Sequence, residues 1–205
     1  MSNKISRRSF LKCAGVAALA VSAAGALSGC SLVDDIINKA TEDYPYMTTL
    51  DGVSFNLSGV HAAREASTFE GGTETLGELV SFMPHIGLAN FTSGEGKSVN
   101  KDTFSLKVDD REMTLLLGDA AVAAARGYIQ KENLLLDKNG NVTLGANTSE
   151  SGYPDGFLVY AFPADVHVKT WKKAVLTITM GGKSTTFTLT HTSDDPRDDY
   201  EISKK

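Results

Sequence analysis

The feature that most constrains the fold is a pair of alternating segments near the end of the chain. Residues 174–180 and 183–191 are rich in β-forming side chains, and Gly181-Gly182 joins the two segments. Alternation with a period of two is typical of a strand with one buried face. A two-residue glycine turn tolerates the positive φ angles that a tight antiparallel connection requires. The sequence therefore predicts a β-hairpin at this place.

Similar strand signals recur from Gly52 onward. Val53, Phe55 and Leu57 alternate with polar residues, and Gly59 allows a β-bulge before the strand continues. Pro84 cannot donate a backbone hydrogen bond, so it marks an edge, a bulge or a break in a strand predicted at 79–91. Three further features are predicted: a hairpin of 104–108 with 113–117, a hairpin of 134–136 with 142–144, and a central strand at 157–162 covered on both sides.

One helix interrupts this series. Asp119 is predicted to be the N-cap of a helix from Ala120 to about Lys131. Short strands separated by turn signals, without regularly alternating helices, predict a mainly β fold. We expect an antiparallel β-sandwich with one short helical insertion over residues 51–192. The charged residues 193–205 are expected to form a frayed C-terminal tail.

The first 29 residues have the composition of a secretory signal. An apolar run from Cys13 to Leu27 follows a cationic region, and no Asp or Glu occurs before Asp34. The run has about 15 residues, fewer than the roughly 20 that span a bilayer. It therefore predicts a signal-peptide helix rather than a permanent membrane span.

Two short motifs in this segment resemble known export signals. Arg7-Arg8 followed by Phe10-Leu11 resembles the twin-arginine signal, which a receptor reads as an address. Leu27-Ser28-Gly29-Cys30 resembles the lipobox of bacterial lipoproteins. This second resemblance implies that the Cys30 thiol receives a diacylglyceryl group and that the chain is cut before it. Two acyl chains give stable membrane anchoring, at ~0.8 kcal/mol per buried methylene.

Removal of residues 1–29 changes what remains for chemistry. Cys13 is lost and Cys30 is acylated, so neither a disulfide nor a cysteine metal site is expected. Lys+Arg falls from 20 to 16 against 25 Asp+Glu, so the formal charge changes from −5 to −9. Such a charge argues against nucleic acid as a partner. Residues 30–50 are expected to be the lipidated cysteine and a tether, either a short amphipathic helix or a solvated linker.

The folded part resembles a family of sandwich domains. The carrying segments are Leu88-Ala89-Asn90-Phe91-Thr92, Asp102-Thr103-Phe104-Ser105-Leu106 and the run from Gly156 to Pro163. Together they are similar to the telokin-like immunoglobulin-fold domains of secreted and lipid-anchored Gram-positive proteins. The resemblance implies an immunoglobulin-like topology, and because such folds host many functions it implies no particular activity.

No catalytic motif stands out in the sequence. There is no Gly-x-Ser-x-Gly element, no phosphate-binding glycine loop and no haem attachment motif. His61, His85, His167 and His191 are scattered, and a copper site would need them to converge with Met83, Met113 or Met180. We expect ordinary strand and surface histidines, and no cofactor.

The sequence also argues against a calcium loop. Residues 137–141 have the oxygen-rich composition of such a loop, but Thr148 stands where a bidentate Glu is required, so a turn is expected. The acidic cluster Asp194, Asp195, Asp198 and Asp199 is expected to be part of the solvated tail.

The sequence thus favours an exported protein held on the extracytoplasmic face of the cell membrane. Its sandwich is expected to be non-catalytic and to bind a protein or another component of the cell envelope. The alternative is a lipoprotein that binds a small ligand or a metal and serves a transporter or redox complex. A hydrolase is the weakest hypothesis, because the sequence nominates no set of catalytic residues.

Overall fold

The computed structural model describes residues 45–90, 95–146, 153–192 and 200–205. Its strands are β1 Met47–Leu50, β2 Val53–Arg64, β3 Thr68–Glu70, β4 Thr73–Thr75, β5 Leu79–Asn90, β6 Lys97–Asn100, β7 Phe104–Val108, β8 Arg111–Glu112, β9 Thr114–Leu116, β10 Asn141–Leu144, β11 Asp155–Phe157, β12 Val159–Ala161, β13 Lys173–Met180, β14 Lys183–His191 and β15 Tyr200–Lys204. One α-helix, α1, covers Gly118–Ala124, and short 3₁₀ helices cover Lys101–Thr103 and Lys131–Asn133.

Two antiparallel sheets form the body of the fold. The first sheet has the order β1-β2-β5-β12-β9, with β11 also paired to β5, and the second has the order β15-β14-β13-β7-β8. Their facing side chains form one core, which includes Phe55 and Phe82 from the first sheet and Leu106, Leu176 and Phe187 from the second. Over the described residues, the predicted antiparallel β-sandwich with one helical insertion is confirmed.

The other face of the first sheet is covered at one end by the helix. Ala121 and Ala125 from the helical segment pack with Ala63, Met83 and Val159 from the sheet in a second, smaller apolar cluster. Alternation explains this arrangement, because successive strand residues point to opposite faces. Both faces of β12 are therefore buried, as the apolar run predicted, but the run from 157 to 162 is divided between β11, which ends at Phe157, and β12.

Several local predictions are confirmed by the pairing. β13 and β14 form the last hairpin, with Met180 opposite Lys183 across the two-glycine turn. The ladder between β2 and β5 shifts register between Leu57 and Gly59, so the bulge lies where the sequence allows one. Pro84, by contrast, stands opposite Val60 within a continuous β5 that has neighbouring strands on both sides, so the predicted edge or break at Pro84 is wrong.

Other predictions are wrong because they assumed pairing between neighbours in sequence. β7 turns into the two-residue β8, whereas β9 crosses to the first sheet and pairs with β12. β10 pairs with β6 rather than with residues 134–136, and Leu134 instead bridges Phe157. β9 and β10 each pair with a strand from a distant part of the chain, and turn signals alone do not reveal such a pairing.

The helix and the domain boundaries also differ from expectation. α1 begins at Gly118 after Leu117 and has no side-chain N-cap, so Asp119 lies inside the first turn. Tyr200–Lys204 is a strand paired to β14, not a frayed tail. β1 extends the sandwich before residue 51, and the Lys204 ammonium donates to the Met47 carbonyl at 2.8 Å. The two ends of the domain therefore pack together.

Candidate functional site

A group of polar and aromatic side chains lies on the first sheet beside the area that the helix covers. We call Ser58, His61, His85, Asp155 and Phe157 the His85 cluster. They come from three neighbouring strands, β2, β5 and β11. The register sets Phe157 opposite His85, and Asp155 two pairs further along opposite Gly87. Pairing across the sheet thus brings together residues up to 99 positions apart in the sequence.

The bulge in β2 positions the serine. Leu57 pairs with Ile86 and Gly59 pairs with His85, so Ser58 is the extra residue between them. A bulge re-aims a side chain that would otherwise follow the strict alternation of the strand. Here the Ser58 hydroxyl contacts Nδ1 of His85 and also donates to the His85 carbonyl oxygen at 3.2 Å.

His85 connects the serine to a carboxylate. Its Nε2 lies 3.5 Å from Asp155 Oδ2, and the side chains of His85 and Asp155 are 25% and 59% exposed. The Phe157 ring packs beside the imidazole at 4.5 Å between centroids, and the His61 ring meets Phe157 at 5.4 Å. Ser58 and Asp155 therefore lie at the two ring nitrogens of the imidazole and Phe157 packs beside the ring, while the side chain stays partly accessible to solvent.

Strand β11 is fixed on both sides, which fixes Asp155 and Phe157. β5 pairs with it on one side, and on the other the Leu135 N–H donates to the Phe157 carbonyl at 3.0 Å. Gly156 makes this close packing possible, since a Cβ there would lie 2.6 Å from the Leu135 nitrogen. No side chain other than hydrogen fits between these backbones.

The order serine, imidazole, carboxylate has a clear chemical meaning. In a serine nucleophile site the imidazole accepts the hydroxyl proton, and the carboxylate fixes the imidazole tautomer. With the proton of the imidazole on Nε2, facing Asp155, Nδ1 can accept the hydroxyl proton of Ser58 once that proton turns from the His85 carbonyl oxygen to the ring. The same contacts also suit a purely structural hydrogen-bonded link across three strands. The set could not be predicted from the sequence, because the position of Ser58 depends on the bulge and that of Asp155 on pairing with a strand 70 residues away from His85.

The histidines that a copper site would need are separated. His61 and His85 both contact Phe157, but His167 Nδ1 bonds Glu78 Oε2 at 2.6 Å and His191 packs on Trp171 at 5.0 Å. In the described part of the chain no group of three or more His, Cys, Asp or Glu residues has the arrangement of a metal site.

The candidate calcium loop is a turn closed by its own carboxylate. Asp137 Oδ1 accepts from the backbone N–H groups of Asn139 and Asn141, both at 2.9 Å. The Asn141 bond is the main reason that the pKa of Asp137 is lowered. This carboxylate oxygen is thus engaged within the turn, as expected from turn chemistry.

The export and anchoring residues lie outside the described part of the chain. This applies to Arg7, Arg8, Phe10 and Leu11, to the lipobox from Leu27 to Cys30, to Thr148, and to the acidic residues 194–199. Within the described ranges, no helix combines the length and apolar character that crossing a bilayer requires.

Comparisons with known proteins give little further information. No protein-family model matches the sequence, and neither does any curated protein. Among solved structures the chain is similar to a putative lipoprotein (ycdA) from Bacillus subtilis, with 14% identity and a TM-score of 0.42. The alignment covers 78% of this chain and 38% of that one, so this chain spans about two fifths of its length. A similarity this weak supports no conclusion about fold or function.

Proposed function

We propose that this chain is an exported cell-envelope protein, anchored to the extracytoplasmic face of the cell membrane by a diacylglyceryl group on Cys30. Its sandwich is a non-catalytic, immunoglobulin-like module that binds a protein or another envelope component. The observation that carries the proposal is Leu27-Ser28-Gly29-Cys30, placed directly after a cationic and apolar leader. The confirmed sandwich is consistent with a folded module beyond the anchor.

The anchor is tested by substituting the cysteine. Cys30→Ser removes the thiol that accepts the lipid, so the exported domain should leave carbonate-washed membranes and appear in the soluble fraction. Cys13→Ser is the matched control, because Cys13 lies in the segment that cleavage removes and its loss should leave the anchor intact. If Cys30→Ser still pelleted with washed membranes, the lipid anchor would be refuted.

The export route is tested separately by Arg7→Lys with Arg8→Lys. A twin-arginine receptor reads the arginine pair, so the double variant should accumulate inside the cell with an uncleaved leader. Normal export of this variant would show that the chain uses another route, while leaving the lipid anchor in place.

The His85 cluster supports a second candidate function, a serine hydrolase of small esters. In that reaction Ser58 Oγ attacks the ester carbonyl, its proton moves to His85 Nδ1, and the alcohol leaves with that proton. Water then cleaves the acyl-serine with His85 as the base and releases the acid.

A fluorophosphonate probe distinguishes the two candidates. Labelling that disappears in Ser58→Ala but persists in Ser98→Ala, together with ester turnover, would establish the hydrolase and refute the non-catalytic module. Ser98 is an exposed serine of β6 and serves as the control. The non-catalytic proposal predicts no labelling of Ser58 above the level at Ser98.

A further inference from the structure

Residues 65–78 leave the sandwich as a separate hairpin, which we call the arm. β3 and β4 pair with each other across Gly71-Gly72, with Phe69 opposite Glu74. In the described chain they form a two-stranded sheet of their own and join neither large sheet. The arm thus projects an unshared pair of strands from the end of β2.

The base of the arm is joined to the sandwich by hydrogen bonds and close backbone packing. The Glu65 N–H donates to the Glu78 carbonyl at 2.8 Å, and a Cβ on Gly77 would lie 2.2 Å from the Glu65 carbonyl oxygen. Arg64 Nη1 donates to the Gly77 carbonyl at 3.0 Å and also to the Lys169 carbonyl. The guanidinium therefore joins the returning side of the arm to the segment after β12, so the base holds the arm in a defined place.

Large apolar side chains are exposed at this end of the molecule. Among the described residues, the large apolar side chains that are exposed are Phe69 at 74%, Leu76 at 38% and Tyr128 at 66%. Phe69 and Leu76 belong to the arm, and Tyr128 is close enough to act electrostatically on Arg64 at its base. Single exposed apolar residues are ordinary, but a concentration at one end is typical of a binding surface. Exposed aromatic residues are the usual anchors of such surfaces.

The charge of the arm restricts what it can bind. Residues 65–78 contain Glu65, Glu70, Glu74 and Glu78 and no Lys or Arg. An anionic membrane surface would repel this segment, and so would a second acidic copy of the same arm. A surface with Lys and Arg around an apolar depression would attract it, because charge complementarity guides association and suppresses wrong partners.

We propose that the arm is the docking element for a protein partner with a basic surface surrounding an apolar pocket that receives Phe69. The inference rests on the proposed function, since it names the kind of partner that the exported module binds. The partner engages the outer part of the arm, while the hydrogen-bonded base connects the arm to the sandwich.

The test is site-specific photocrosslinking in cells that export the full chain. A benzoylphenylalanine placed at position 69 should form an adduct with one protein of basic isoelectric point, identified by mass spectrometry. The matched control carries the crosslinker at Ser98, which is exposed. Its neighbour Lys97 pairs with Asp51, which lies just before β2, whereas the arm follows the other end of β2. No adduct with the same protein is expected from position 98.

A charge-reversed variant completes the design. Glu70→Lys with Glu74→Lys, in the presence of the crosslinker at position 69, should reduce the adduct at least tenfold. The proposal is overturned by the absence of an adduct, by an adduct with lipid or with a second copy, or by an adduct that survives charge reversal. Carbonate-resistant membrane association of the same cells is scored in parallel. An anchored chain without an adduct refutes the arm alone, whereas an unanchored chain refutes the lipid anchor.

Discussion

The sandwich and the arm are both built from antiparallel strands, but they use aromatic residues in opposite ways. In the sandwich Phe55, Phe82 and Phe187 are completely buried, whereas Phe69 of the arm is 74% exposed. Burying a phenylalanine side chain contributes about 1.5–3 kcal/mol to the free energy of unfolding. The sandwich gains this contribution from its buried rings, whereas the exposed Phe69 gives the arm little of it. We therefore expect the sandwich to supply most of the folding stability, so that side chains of the arm can be substituted without unfolding the domain.

The largest expected difference comes from truncating one aromatic residue in each region. Phe187→Ala opens a cavity in the core and should lower the free energy of unfolding by about 3–5 kcal/mol. Phe69→Ala should change it by no more than about 0.5 kcal/mol, because the ring is mostly in water. Urea denaturation of both variants measures the difference. Equal losses of unfolding free energy in the two variants would show that the arm is part of the folding core.

A smaller effect is expected where the two regions join. Gly77→Ala forces a Cβ against the Glu65 carbonyl and should cost about 1–3 kcal/mol by thermal or urea unfolding. Gly59→Ala is the control, since its Cβ would meet only the Tyr200 hydroxyl at 3.9 Å. A Gly77→Ala variant as stable as Gly59→Ala would mean that the base of the arm is not closely packed.

Within the sandwich, one polar atom is predicted to be dispensable. The Tyr160 hydroxyl is buried and has no hydrogen-bond partner among the residues that the structure describes, and burial raises the pKa of this group. Tyr160→Phe should leave stability unchanged or raise it by about 1 kcal/mol, because it removes an unsatisfied polar group. A clear loss of stability in urea unfolding would show that this hydroxyl has a partner in solution.

The smallest effect is a titration at the base of the arm. The hydrogen bond that the His167 ring donates to the Glu78 carboxylate raises the pKa of His167. The stabilisation from this pair is therefore complete below the ordinary histidine pKa of about 6.5 and is lost as the pH rises through the raised value. NMR titration should show a lower midpoint for His167 in Glu78→Gln. An unchanged midpoint would mean that the pair does not form in solution.

Local features of the fold were predictable because neighbouring residues determine them. Alternation identified β13 and β14, and the glycine turn set their register. Gly59 signalled the bulge, and the apolar run at Val159–Ala161 signalled a strand buried on both faces. In each case the signal and the structure lie within the same few residues.

Features that depend on distant pairing were not predictable in this way. β10 pairs with β6, which lies about 40 residues earlier in the chain. The strand Tyr200–Lys204 is short, and its few apolar residues give no clear strand pattern. The serine, imidazole and carboxylate of the His85 cluster come together only after β2, β5 and β11 are paired and the bulge is placed. Assuming that β2 pairs with β5 in the register of their alternation would have brought Ser58 near His85. No local signal indicates Asp155.

Intact-mass spectrometry of the protein extracted from the membranes of cells that produce it tests the central claim most directly. The account predicts a species comprising residues 30–205 with a diacylglyceryl group on Cys30. A species that retains residues 1–29 and carries no lipid would contradict it.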